Sequence, residues 1–189
     1  MFLGAHGKSR AAIPEVDQGG NPLECDISGW FNTGWGFGLQ VPDGLAGCNL
    51  EMHDTIIPLG SRREDRLITT SGYYNAGCSS TVAEWVDSLV NVDPNDPQRS
   101  DVRIIRRQMT RLGGQDAERV VYRYRDKGSN REMTEDVVTA FSRKQQSANF
   151  CEKAAESVFS LTLTTPTVSY RQDLRVFERV IKSCKSTDG

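Results

Sequence analysis

The stretch Ser157–Cys184, SVFSLTLTTPTVSYRQDLRVFERVIKSC, holds two hydrophobic periods separated by Pro166. Before the proline, Phe159, Leu161 and Leu163 occupy every second position and Val158, Ser160 and Thr162 fill the others. That alternation is the signature of a strand with one buried face. After the proline, Tyr170, Leu174, Phe177, Ile181 and Cys184 recur at helical spacing and make one apolar stripe. Lys182 and Lys185 stand near the end of that helix, where cations complement its dipole. A strand and a helix, each apolar on one side, predict a helix laid across a sheet.

The two-residue period extends toward the N-terminus. DVRIIRRQMTRL (101–112) runs into a Gly113-Gly114 turn, and AERVVYRYR (117–125) sets Val120, Tyr122 and Tyr124 against Arg119, Arg123 and Arg125. DKGSN (126–130) reads as a hairpin turn before REMTEDVVTAFSRK (131–144). Upstream, CSSTVAEWVDSLVNV (78–92) carries a helix start: Thr81 and Glu84 fit a capping box, and Val82, Trp85, Val86, Leu89 and Val90 form one face. DPNDP (93–97) stops that helix. Strands are expected around 51–58 and 66–73.

GWGFGLQVPDG (34–44) invites a phosphate-loop reading, but such a loop follows a strand and opens a helix. Here Trp35, Phe37, Leu39 and Val41 alternate with small or polar residues, and Pro42-Asp43-Gly44 closes the run as a turn. It is a strand, and its glycines leave one face open to close packing. The element order is three strands, helix, four strands, helix. Short turns imply antiparallel pairing. The fold class is therefore α+β, an antiparallel sheet of about six to seven strands packed with two amphipathic helices. Residues 1–29, rich in Gly, Pro and Ala, are expected to be a mobile lead-in, and 30–186 one α+β domain.

This order, with VPDG closing the first strand and SLTLTTPTVSYRQDLRVFERVIKSC closing the chain, resembles the PsbP-like α/β/α sandwich group. In that group a strand of the form vysltl leads into a helix of the form yeedlpvfekilksf. The likeness is greatest over the last thirty residues and elsewhere concerns element order; Cys184 and the five-cysteine complement depart from it. The resemblance implies an extracytoplasmic protein, of a group that includes lipoproteins, assembly factors and secretion adaptors without catalytic sites. It supplies no motif residues to carry over.

Five cysteines, at 25, 48, 78, 151 and 184, include no CxxC pair, and the two histidines complete no zinc set, so no metal or cofactor is expected. Scattered cysteines in a chain of this length lean toward an oxidising compartment, hence two disulfides and one free thiol among the five, with Cys48, Cys78, Cys151 and Cys184 as the disulfide candidates. Cys48 with Cys78 is the preferred pair, since each flanks a segment of the same sheet. No apolar run is long enough to span a bilayer.

Catalytic readings find little purchase. A hydrolase would have to rely on His53, with Cys78 or Ser79 and Asp54, but adjacent His53 and Asp54 on a strand face opposite sides. Asp93, Asn95 and Asp96 are too few for a calcium loop. Glu132, Glu135 and Asp136 read as surface acids without the fixed separation that glycosidic chemistry needs. A small-molecule or lipid pocket near Trp35, Tyr73 and Trp85 is the alternative binding reading.

Charge is the more informative signal. Residues 98–131 hold ten Lys/Arg and four Asp/Glu in a chain whose net charge is −2. Arg103, Arg106, Arg107, Arg119, Arg123 and Arg125 are expected to form an exposed basic sheet face that meets an acidic protein partner. Nucleic acid is disfavoured, because Tyr122 and Tyr124 turn away from the arginines and the pI is near 5.8. The function read from the sequence is a non-catalytic, extracytoplasmic interaction protein of inhibitor, immunity or adaptor type; nothing in the residues sets an oligomeric state.

Overall fold

The computed structural model describes residues 24–49, 55–60, 66–74, 79, 81–90, 96–142 and 157–187. Over these residues the chain forms, in order, β1 (Trp30–Asn32), β2 (Phe37–Gln40), β3 (Cys48–Asn49), β4 (Thr55–Pro58) and β5 (Leu67–Tyr74). Helix α1 (Val82–Val90) follows, then β6 (Arg99–Leu112), β7 (Gln115–Asp126), β8 (Glu132–Ser142), β9 (Ser157–Pro166), α2 (Tyr170–Ser183) and β10 (Lys185–Ser186). The main sheet has seven strands in the order β3-β4-β5-β9-β8-β7-β6, each neighbouring pair antiparallel. The antiparallel α+β architecture expected from the periodicity is the one that forms.

Alternation along the strands sorts side chains onto two faces. On one, Ile68, Leu161, Leu163, Phe159, Val138 and Ala117 meet Phe177 and Val180 of α2. On the other, Val120, Tyr122, Tyr124, Met133 and Val137 meet Val82 and Val86 of α1. Helix α1 starts as its sequence dictates, with the Glu84 N–H donating to Thr81 Oγ1 at 3.2 Å. The result is a layered α/β/α sandwich with β6 at one edge of the sheet.

Two expectations need correction. The Trp35–Val41 run does not join the main sheet: β2 pairs with β1 and β10 in a separate three-stranded sheet. Gly34 and Gly36, with φ of 78° and 80°, turn the chain there, and Phe37 then stacks on Phe159 of the main sheet with ring centroids 4.7 Å apart. The bare glycine face is used as anticipated, since a Cβ on Gly38 would lie 2.4 Å from the Trp30 ring.

The second correction concerns cysteine. Cys48 bonds to Cys25, not to Cys78, because an Ile27–Gly47 bridge lays the segment before β1 alongside β3. Cys184, put forward for a disulfide, is a buried free thiol in the α2 core stripe. Cys78 and Cys151 lie outside the described residues. The same bond and bridge fasten Cys25 and Ile27 to the sheet.

Candidate functional site

The six arginines singled out by charge lie on β6 and β7, and pairing register decides what each can do. Residues opposite one another in a ladder share a face. Arg103 pairs with Arg123, and Arg106 with Val121, which puts Arg103, Arg106, Arg119, Arg123 and Arg125 on the α2 face. Arg107 pairs with Val120 and so belongs to the α1 face.

Arg119 is not available to a partner. It is 7% exposed, and it donates from Nε and Nη2 to both oxygens of Asp136 at 2.7 Å and from Nη1 to Glu178 Oε1 at 2.7 Å. Its guanidinium also lies over the Phe177 ring. Burial opposes its charge, but the Asp136 hydrogen bonds outweigh that and hold it firmly protonated. Asp136, read from sequence as a surface acid, is fully buried and takes a third hydrogen bond from the Tyr170 hydroxyl at 2.6 Å. This cluster bolts α2 to the sheet. Its second fastening is Asp173, also buried, held by Arg66 at 2.6 and 3.0 Å and by the Thr165 hydroxyl at 2.6 Å.

Arg107 is likewise committed, to Glu118 and to Asp87 of α1, with the Glu118 hydrogen bond the main reason its charge is locked on. Arg103 meets Glu132, and Arg125 approaches Asp101 at 3.7 Å. Arg106 and Arg123 remain. Neither has a carboxylate partner among the described residues, and both stand on the part of the α2 face beyond Arg119, where Arg106 is exposed. Arg123 Nε is buried without a hydrogen-bond partner. The exposed side of α2 adds Arg171, Arg175, Arg179 and Lys182, at helical spacing and all solvent-facing. Sequence reasoning took only the dipole effect of Lys182 and missed the stripe, although its i, i+4, i+8, i+11 spacing was visible.

The other proposed sites come apart. Trp35 packs on the α2 face, where a Cβ on Gly72 would lie 1.9 Å from its ring. Tyr73, one residue on, points to the α1 face and meets Trp85 at 6.0 Å between ring centroids. The sheet separates them, so Trp35, Tyr73 and Trp85 share no pocket. A shallow cleft of about 320 Å³ at the strand ends is lined by Asp101, Arg103, Tyr124, Arg125 and Glu132, charged walls unlike an apolar ligand chamber. Glu135 and Asp136 project to opposite faces, and Glu135 accepts from the Tyr122 and Tyr124 hydroxyls. Burial, then the Glu135 charge, keeps both phenols protonated well above their ordinary range, so they act as donors. His6, His53, Asp54, Asp93 and Asn95 lie outside the described residues; Asp96 accepts from the backbone of Gln98 and Arg99 and from the Arg99 side chain.

No protein-family model matches the chain, and no curated protein matches it in sequence. Solved structures do. It is similar to cyanobacterial PsbP (CyanoP) from Synechocystis sp. PCC 6803 at a TM-score of 0.50 and 15% identity, over 85% of this chain and 94% of that one. It is also similar to LpqN of Mycobacterium tuberculosis, described as involved in cell envelope biogenesis, at 0.51 and 12%, over 79% and 82%. The fold is PsbP-like. No helix among the described residues is long and apolar enough to cross a membrane.

Proposed function

We propose that this protein is a non-catalytic, extracytoplasmic binding domain that contacts an acidic protein partner through the outer α2 face of β6 and β7. The observation that carries the reading is the pair Arg106 and Arg123. They stand on neighbouring strands of one face, without carboxylate partners among the described residues, while Arg107 and Arg119 next to them are fully engaged. Uncompensated neighbouring cations repel one another, and an anionic partner relieves that repulsion. Arg171, Arg175, Arg179 and Lys182 extend the same positive field along α2. The Cys25–Cys48 disulfide supports the extracytoplasmic reading, since such bonds persist where thiols are oxidised.

Affinity capture from the extracytoplasmic fraction of the native host, at low and high salt, tests this. The wild-type chain is expected to retain a protein that the double variant Arg106→Glu/Arg123→Glu loses, with retention weakening as salt rises. Equal recovery by the wild type and the double variant overturns the reading.

A further inference from the structure

The binding reading above names a surface; the strand that borders it has a second property. Among the described residues β6 has β7 as its one strand partner, and it is the edge of a seven-stranded sheet. Proteins guard such edges with bulges, charges or covering elements. Here both irregularities of register, between Ser100 and Arg103 and between Ile104 and Arg106, fall in the first half of the strand. From Arg106 to Leu112 the ladder with β7 is unbroken, residue against residue down to Leu112↔Gln115. At about 3.4 Å per residue this is roughly 20 Å of regular edge, the length of an ordinary strand.

The two faces of this edge differ in chemistry. On the α2 face stand Arg103, which holds Glu132, and Arg106, with Arg123 behind them; among the described residues Arg106 and Arg123 have no carboxylate partner. On the α1 face Arg107 and Arg111 already hold carboxylates of the chain, Glu118 and Asp87 for the first, Asp116 for the second. What that face offers outward is apolar: Ile104 is 50% exposed and Met109 65%. One face of the edge therefore calls for negative charge and the other for hydrocarbon.

We infer that β6 takes its partner by strand addition, an extended segment with alternating acidic and apolar residues pairing along Arg106–Leu112 as an eighth strand. Backbone hydrogen bonds hold such a strand, and its alternate side chains give specificity. Its acidic residues meet Arg106 and, behind it, Arg123, and an apolar residue covers Met109. A second copy of this chain does not fit, since β6 carries five arginines and one aspartate and would be opposed by the same set. The inference rests on the binding reading and adds to it the mode and the sequence pattern of the occupant.

The test uses the full chain and three synthetic peptides: one alternating glutamate with valine, one of the same composition with the two residues segregated, and the alternating one methylated at every second amide nitrogen. The alternating peptide is expected to bind, at least about tenfold more tightly than either of the others, and to slow amide hydrogen exchange within Arg106–Leu112. Arg106→Glu is expected to reduce its affinity about tenfold or more. Equal affinity of the methylated peptide, or unchanged exchange along 106–112, refutes strand addition. If a natural partner is captured through Arg106 and Arg123 while exchange at 106–112 stays unchanged, the mode fails and the surface stands. If capture ignores those arginines, the surface fails.

Discussion

Replacing Arg119 with methionine keeps most of the side-chain length and removes the charge. Asp136, 0% exposed, then loses the two guanidinium hydrogen bonds that neutralise it and keeps the Tyr170 hydroxyl. Glu178, at the margin of α2, loses its partner as well but can turn to water, since it is 38% exposed. The main cost is thus one carboxylate stranded in a dry site, which mutational data place at about 3–5 kcal/mol. For a chain of this size each kcal/mol moves the melting temperature by about 2–4 °C, so the expected loss is roughly 6–20 °C. Thermal unfolding followed by circular dichroism reads this directly. Arg106→Met serves as the control, with an expected change within about 0.5 kcal/mol, because that side chain is exposed and has no carboxylate partner among the described residues. Adding Asp136→Leu to Arg119→Met is expected to recover part of the loss, since the stranded charge is gone. If Arg119→Met melts within about 1 kcal/mol of the wild type, the division of these arginines into a structural and a binding group is wrong.

Two further outcomes follow from the core. Gly72→Ala places a methyl 1.9 Å from where the buried Trp35 ring now sits, so the indole must move; a loss of about 1–3 kcal/mol is expected in urea unfolding, and an unchanged midpoint refutes the packing described. The Cys184 thiol is pushed up to about 12 by burial, from an ordinary value of 9.0. The unfolded thiol ionises first, so its contribution to stability is whole below about pH 9 and is lost as pH climbs toward 12. Unfolding free energy is expected to fall more steeply between these limits for the wild type than for Cys184→Ala; equal slopes refute the burial argument.

Much of the fold was legible because it follows from local periods. The alternation of Phe159, Leu161 and Leu163 and the stripe of Phe177 and Cys184 named their own elements, and all five residues are buried where those periods put them. The same alternation assigned Tyr122 and Tyr124 to the face away from Arg119, Arg123 and Arg125. What sequence did not give is pairing at a distance. A period says that Arg119 lies opposite Val120 but not that Asp136 on the next strand and Glu178 on α2 meet it. Asp173 was hidden for a related reason: an acid inside an apolar stripe reads as an interruption until Arg66, 107 residues earlier, is brought to it. The Cys25–Cys48 bond depended on a bridge between Ile27 and Gly47, neither in a recognisable strand. The candidate site was half legible, as a charge excess on one segment whose usable members only three-dimensional neighbours identify.

The bolt joining α2 to the sheet also constrains how this chain can diverge over evolutionary time. Loss of Asp136 alone leaves a guanidinium trapped over Phe177, and loss of Arg119 alone leaves an anion trapped beneath Tyr170. Neither intermediate is well tolerated, so positions 119 and 136 are expected to be inherited together or exchanged together. Positions 106 and 123 carry no such tie among the described residues and are free to track whatever surface they face.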